Sequence, residues 1–286
     1  MKASIRCRIC RAALIVVMGL IATGGLTGAA PAQAGTIYVS TTGSDAGNGL
    51  TWGTAKKTVQ AGLNAAVSGD QVWVATGTYV ECITLKAGVA LYGGFAGTET
   101  DLSQRNWKGN QTILDGNRGG SVVTSPSGAT GTTQIDGFTI RGGSATLVSG
   151  DHVGGGIYCN SSSPMITNNI ITGNSADDGS GIYCYSSSPT IANNTISGNS
   201  ASYDGGGICC GGSSCATIID NTISRNSASY SGGAIYCSSS SPMITNNTIT
   251  SNSASSGGGI FCSNYSSATI TNNRISGNSA SSHGGG

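Results

Sequence analysis

Three carboxylates offer the chain its best opportunity for chemistry. Asp178 and Asp204 each lie four residues before an isoleucine that heads a repeated motif, and Asp177 sits beside the first of them. If the repeats stack, Asp178 and Asp204 fall on adjacent turns. Carboxylates so paired could hold a Ca²⁺ ion or do acid/base work on a glycosidic bond. The plainer alternative is a set of solvated loop carboxylates. One residue after each heading isoleucine stand Tyr158, Tyr183, Tyr236 and Phe261. An outward aromatic stripe of this kind could stack on sugar rings, or its members could simply stack on one another along the ladder. In the third copy the aromatic position is Cys209, and Cys215 falls in the turn that elsewhere reads Ser-Ser-Ser-Pro. A local disulfide between Cys209 and Cys215 would close that turn.

A catalytic set is not evident around these groups. The repeats contain only Arg225 and Arg274 as basic residues, and His152 and His283 are the only histidines. A polysaccharide lyase needs a base near its substrate, and abundant serine is accounted for by turns. The position after the second strand's first isoleucine reads Thr167, Ala192, Ile219, Thr245, Thr271. That is too irregular for a threonine array facing ice. Cys159, Cys184, Cys210, Cys237 and Cys262 each follow a heading isoleucine by two residues, so they point inward with it. They read as a column of small buried thiols. Neighbouring strands hold Cβ atoms at about 4.8 Å, wider than the roughly 3.8 Å of a disulfide.

The elements that must position these residues are a repeat. GGGIYC at 154–159 recurs as GSGIYC, GGGICC, GGAIYC and GGGIFC, with heading isoleucines Ile157, Ile182, Ile208, Ile235 and Ile260 spaced 25, 26, 27 and 25 apart. A second element, I-x-N-N-x-I, begins at Ile166, Ile191, Ile218, Ile244 and Ile270, with Asp220 in place of the first Asn in the third copy. Three residues after its second isoleucine comes Asn174, Asn199, Asn226, Asn252 or Asn278. Pieces of four to six residues between Gly, Ser and Asn are too short for helices and too poor in helix formers. They predict three short strands per turn of about 25–26 residues, each pairing with its copy above and below. Three isoleucine columns then form the inner wall. Asn169, Asn194, Asn221, Asn247 and Asn273 fall at the bend between strands, where Asn suits a left-handed conformation and can stack its amides.

Residues 1–34 read as a secretory signal: Lys2, Arg6, Arg8 and Arg11, then an apolar run Ala12–Ile21, then Ala32-Gln33-Ala34. Its removal leaves nine basic and 12 acidic residues, a mildly acidic chain without a second apolar stretch of membrane-spanning length. With 13 basic against 12 acidic residues overall, nothing suggests nucleic-acid binding. Residues 35–153 hold all three tryptophans and 15 charges, and read as an N-terminal cap and irregular first turns. Thr54–Val67 predicts a short amphipathic capping helix with Val59, Leu63 and Ala66 on one face. Ile135 and Ile140 keep the spacing of the later isoleucines, which predicts a degenerate early turn. Residues 154–286, with six charges, read as the regular repeats. The chain stops at Gly284-Gly285-Gly286, where another Ile-Tyr-Cys would begin, so a missing C-terminal cap or anchor is expected.

These repeats resemble the right-handed parallel β-helix, or pectate-lyase-like, superfamily. GGAI at 232–235 and the I-S-G-N or I-S-R-N tetrads at 196–199, 223–226 and 275–278 resemble repeats of chlamydial polymorphic outer-membrane proteins. The segment TIYVSTTGSDAGNGLTWGTAKKTVQAGLNAA is similar to the start of many secreted bacterial β-helix proteins. The resemblance implies an all-β, right-handed parallel β-helix at or outside a bacterial surface. The expected role is a non-catalytic adhesin, stalk or polysaccharide-contacting scaffold without a required cofactor. The alternative is a carbohydrate-active enzyme, a Ca²⁺-assisted polysaccharide lyase, acting on a polysaccharide or cell-surface glycan.

Overall fold

The computed structural model describes residues 34–286. The expected signal segment, residues 1–34, lies outside the described residues apart from Ala34. The described chain coils into a solenoid whose successive turns pair in parallel. Four parallel sheets run along it, of nine, seven, eight and five strands. The nine-stranded sheet runs from Thr36–Val39 through Gln71–Ala75 and Ala90–Phe95 to Thr269–Thr271, so the irregular first half and the repeats share one continuous ladder.

The first regular turn shows the construction. Its strands are Ile157–Asn160, Met165–Thr167, Ile170–Thr172 and Ser175–Ala176. The first three match the sequence expectation. The fourth corrects it: a turn carries four strands, and the last is only two residues long here. Ser175-Ala176 pairs with Ser200-Ala201, which in turn pairs with Ser227-Ala228. Such a pair shows no hydrophobic period. It is held by its neighbours above and below and by a buried alanine, as at Ala201, Ala228 and Ala254. The glycines before the heading isoleucine let this strand pass close. A Cβ on Gly206 would fall 2.4 Å from the carbonyl oxygen of Ser227.

Register along the first strand holds from turn to turn. Ile157, Ile182, Ile208 and Ile235 align, as do Cys159, Cys184, Cys210 and Cys237. All eight are fully buried. Ile135 and Ile140 align with Ile166 and Ile171, so the degenerate early turn is present.

The asparagines divide the work differently from the expectation. The left-handed residue is the first of each pair: Asn168, Asn193, Asp220, Asn246 and Asn272 have φ between 55° and 57°. The second turns inward, and Asn169, Asn194, Asn221 and Asn247 are buried. Asn194 Oδ1 accepts the backbone N–H of Asn169 at 2.9 Å and its side-chain amide at 3.2 Å. Asn194 Nδ2 donates to Ile166 O at 2.8 Å and to Asn221 Oδ1 at 3.1 Å. A second ladder runs through Asn174, Asn199, Asn226, Asn252 and Asn278. Two polar columns inside an apolar coil stay satisfied because each amide meets the next turn.

The helix covers Val59–Ala65, shorter than the predicted span, with Thr58 Oγ1 accepting the N–H of Ala61 as its N-cap. Val59 and Leu63 join the core, and a Cβ on Gly62 would fall 2.5 Å from Val39 Cγ2. The helix therefore packs closely on the first turn. One element departs from the parallel scheme. Thr146–Val148 and Asp151–Val153 form an antiparallel hairpin across Ser149 and Gly150, both at positive φ. It stands immediately before the first regular turn.

Candidate functional site

The hairpin, the corner before each first strand and the outward face of that strand build one continuous surface. Asp178 sits at the corner between Ser175–Ala176 and Ile182–Tyr185. Its Oδ1 accepts the backbone N–H of Asp204, one turn on, at 3.0 Å. Asp204 Oδ1 accepts the N–H of Ser231, a further turn on, at 2.8 Å. The two carboxylates do stand on adjacent turns.

Three cavities adjoin there, and Asp178 lines all of them. One of about 430 Å³ is lined by Asp151, Asp178, Asp204, Tyr203, Tyr230 and Ser231. A second of about 410 Å³ lies between the hairpin and Tyr158, Tyr183 and Tyr185. A third, about 430 Å³, is lined by Asp178, Asp204, Tyr183, Tyr185, Cys209 and Tyr236. The carboxylates and the aromatic stripe, separate features in the sequence, thus share one groove.

Burial, with Asp204, Asp151 and Asp177 nearby, pushes the Asp178 carboxyl up to about 6. Burial raises Asp204 as well. Tyr183 and Tyr236 are raised chiefly by burial, so their phenols stay neutral donors at ordinary pH. Cys209 is driven far upward by burial and by Asp178, and it remains a thiol.

Asp177 parts company with its neighbour. Its Oδ2 accepts the N–H of His152 at 2.8 Å and lies 3.5 Å from His152 Nδ1. It lines a different cavity, with Arg118 and His152. The bond to the His152 N–H is the main cause of its lowered pKa. The expected Asp177, Asp178 and Asp204 cation cluster is therefore not assembled. Successive residues of an extended chain face opposite ways. Among the described residues no three His, Cys, Asp or Glu side chains gather as a metal site.

The aromatic column does self-stack. Tyr158 and Tyr183 rings lie 6.0 Å apart at 7°, and Tyr236 and Phe261 at 6.0 Å and 7°. Cys209 is a free, buried thiol, so the expected bridge to Cys215 is not formed in this structure. Cys209 belongs to the first strand and lines the cavity shared with Tyr183, Tyr185 and Tyr236, while Cys215 lies in the turn that follows. Arg225 follows the strand Thr222–Ser224 and Arg274 opens Arg274–Ser276, both on the eight-stranded sheet and away from the groove.

Sequence reasoning passed over Tyr185, Tyr203, Tyr230 and Asp151. Tyr203 and Tyr230 precede Asp204 and Ser231 by one residue in successive copies, a match visible in the repeat alignment. Their rings lie 5.6 Å apart. The Ser149-Gly150 turn signal announced the hairpin that brings Asp151 in.

Residues 155–285 match the family model described as right handed beta helix region. The repeat half is a right-handed β-helix. No curated protein and no solved structure matches the chain. Among the described residues no helix is long and apolar enough to cross a membrane. The groove runs along the first-strand face of the β-helix, and the stacking of its turns sets the spacing of every groove residue.

Proposed function

We propose that this chain is a secreted or surface-displayed, non-catalytic β-helix whose first-strand face contacts polysaccharide. One observation carries this reading: three adjoining cavities over tyrosine rings, with the Asp178 and Asp204 carboxylates along their edge. Flat apolar faces beside hydrogen-bond acceptors suit sugars, whose rings offer C–H surfaces and hydroxyl donors. The basic n-region, apolar run and Ala-x-Ala of residues 1–34 support export. The resemblance to pectate-lyase-like proteins and to polymorphic outer-membrane repeats supports a role at a bacterial surface. Scarce charge argues against nucleic acid as the partner.

A second reading has one observation in its favour. A carboxyl held near 6 beside a second carboxylate in a groove suits a general acid of glycoside cleavage. The Ca²⁺-assisted lyase has less support, because Asp177 faces away and Arg225 and Arg274 belong to another sheet.

The test is to present the purified chain to a glycan array, then incubate bound glycans and uronate polymers with and without Ca²⁺. Reducing ends and unsaturated product are followed. Binding without turnover supports the scaffold. Turnover abolished by Asp178→Ala would replace it with the enzyme, and neither binding nor turnover would remove both.

A further inference from the structure

The outward column of the first strand reads Tyr158, Tyr183, Cys209, Tyr236, Phe261, in unbroken parallel register. Where adjacent turns both carry rings, the rings stack at 6.0 Å and within 7° of parallel. Cys209 carries none. The ladder of rings therefore skips one turn, between Tyr183 and Tyr236. Two ladder steps separate these tyrosines, roughly 10 Å at the usual strand spacing. A ring placed midway would stand about 5 Å from each, within the 4.5–7 Å at which rings pair.

The chain does not refill this gap. It is the open cavity of about 430 Å³ that Tyr183 and Tyr236 line, with Asp178 and Asp204 also in its wall. Cys209, only 5% exposed, closes the floor. Tyr185 closes the far side: its ring lies over Gly212, where a Cβ would fall 2.7 Å from it, and runs parallel to Tyr183 with centroids 6.4 Å apart. The slot thus has Tyr183 and Tyr236 as walls on the turns either side, a small apolar floor and two hydrogen-bond acceptors.

We propose that this slot holds one pyranose ring of a glycan, sandwiched between Tyr183 and Tyr236, with its hydroxyl or amino donors turned to Asp178 and Asp204. A saturated ring offers C–H groups on both faces to the electron-rich faces of the two tyrosines. A flat aromatic ligand would use the walls but leave the carboxylates without donors. The two carboxylates also set the class. They repel a uronate and accept from a neutral or amino sugar. This inference rests on the polysaccharide-contact reading and narrows its ligand to a pyranose without a carboxylate.

The test fills the slot from within. Cys209→Tyr restores the side chain found at the same position of both neighbouring turns, so the fold has a place for it. Cys209→Ala leaves the slot open. Titrations use a β-glucan hexamer, a chitosan hexamer and a galacturonate hexamer, with thermal unfolding of each variant. The expected result is that the glucan or the chitosan hexamer binds the unaltered chain and Cys209→Ala alike. Cys209→Tyr then loses at least about tenfold in affinity, a change worth about 1.4 kcal/mol, at an undiminished Tm. The galacturonate hexamer binds weakest. Equal binding by Cys209→Tyr, equal loss in Cys209→Ala, or preference for galacturonate would each overturn the slot while leaving a glycan face elsewhere on the groove. Failure of the unaltered chain to bind any glycan would overturn the underlying reading as well.

Discussion

Asp178 Oδ1 receives the backbone N–H of Asp204 at 3.0 Å, so a carboxylate raised by burial is also a rung of the backbone ladder. Its folded-state pKa of about 6 lies above the roughly 3.9 of an open chain. Ionising it therefore costs more in the fold than out of it. Its contribution to stability is complete below about pH 4 and is lost as pH rises through about 6. Asp178→Asn keeps an acceptor for Asp204 and removes the charge. The variant should melt higher than the unaltered chain at pH 7, and the two should converge below pH 4. A difference in Tm that does not change with pH would refute this account.

The inner asparagine ladder is expected to be among the costliest places to cut the stack. Asn199 is 1% exposed. It accepts from the Asn174 N–H at 3.1 Å and Nδ2 at 3.0 Å, and donates to Ile171 O at 3.0 Å and Asn226 Oδ1 at 2.9 Å. Asn199→Ala orphans buried groups on the turns either side, and should cost about 3 kcal/mol. Thr195→Ala, on the exposed face of the same turn, should cost under about 0.5 kcal/mol. Urea unfolding of the two variants compares them directly; similar midpoints would count against the ladder.

In the irregular half, a largely buried ion pair organises the excursion between Ala90–Phe95 and Thr112–Asp115. Arg105 pairs with Asp136 Oδ1 and lies 5.0 Å from the Tyr92 ring centroid. Asp136 Oδ2 accepts from Thr167 at 2.7 Å and Asn168 at 2.8 Å. Asp136→Ala leaves a guanidinium buried without its partner, which costs about 3–5 kcal/mol. Replacing both, as Arg105→Met with Asp136→Leu, should recover much of that loss. Calorimetry of single and double variants measures it, and a single-variant loss under about 1 kcal/mol would contradict the assignment.

The thiols give a chemical map of the interior. Cys82 and Cys262 are exposed, whereas Cys159, Cys184, Cys209, Cys210 and Cys237 are buried. Iodoacetamide applied to the folded chain should label Cys82 and Cys262 promptly and the buried five only after denaturation. Cys262, hydrogen-bonded to Cys237 and held near a pKa of about 7, should react the faster of the two exposed thiols at neutral pH. Mass mapping without reduction checks Cys209: a peptide linking it to Cys215 would show that the bridge forms after all.

The amino-acid sequence by itself determined the coil. Isoleucine at fixed offsets in copies 25 to 27 residues apart can be buried only if the copies stack, and Ile157 through Ile249 line the interior accordingly. It placed Asp178 and Asp204 on adjacent turns by the same arithmetic. What it did not reveal has no period of its own. The Ser-Ala strand is only two residues long in its first three copies and exists through its neighbours. The choice of which Asn of each pair turns left-handed depends on which amide can reach the next turn. Asp177 and Asp178 look alike in sequence, yet alternation along an extended backbone sends one to His152 and the other to the tyrosines. Only the tertiary structure joined the carboxylates, the hairpin and the aromatic column in one groove, because that proximity runs across turns rather than along the chain. The same register turned Cys209, an odd residue in one repeat, into the floor of a gap between two rings.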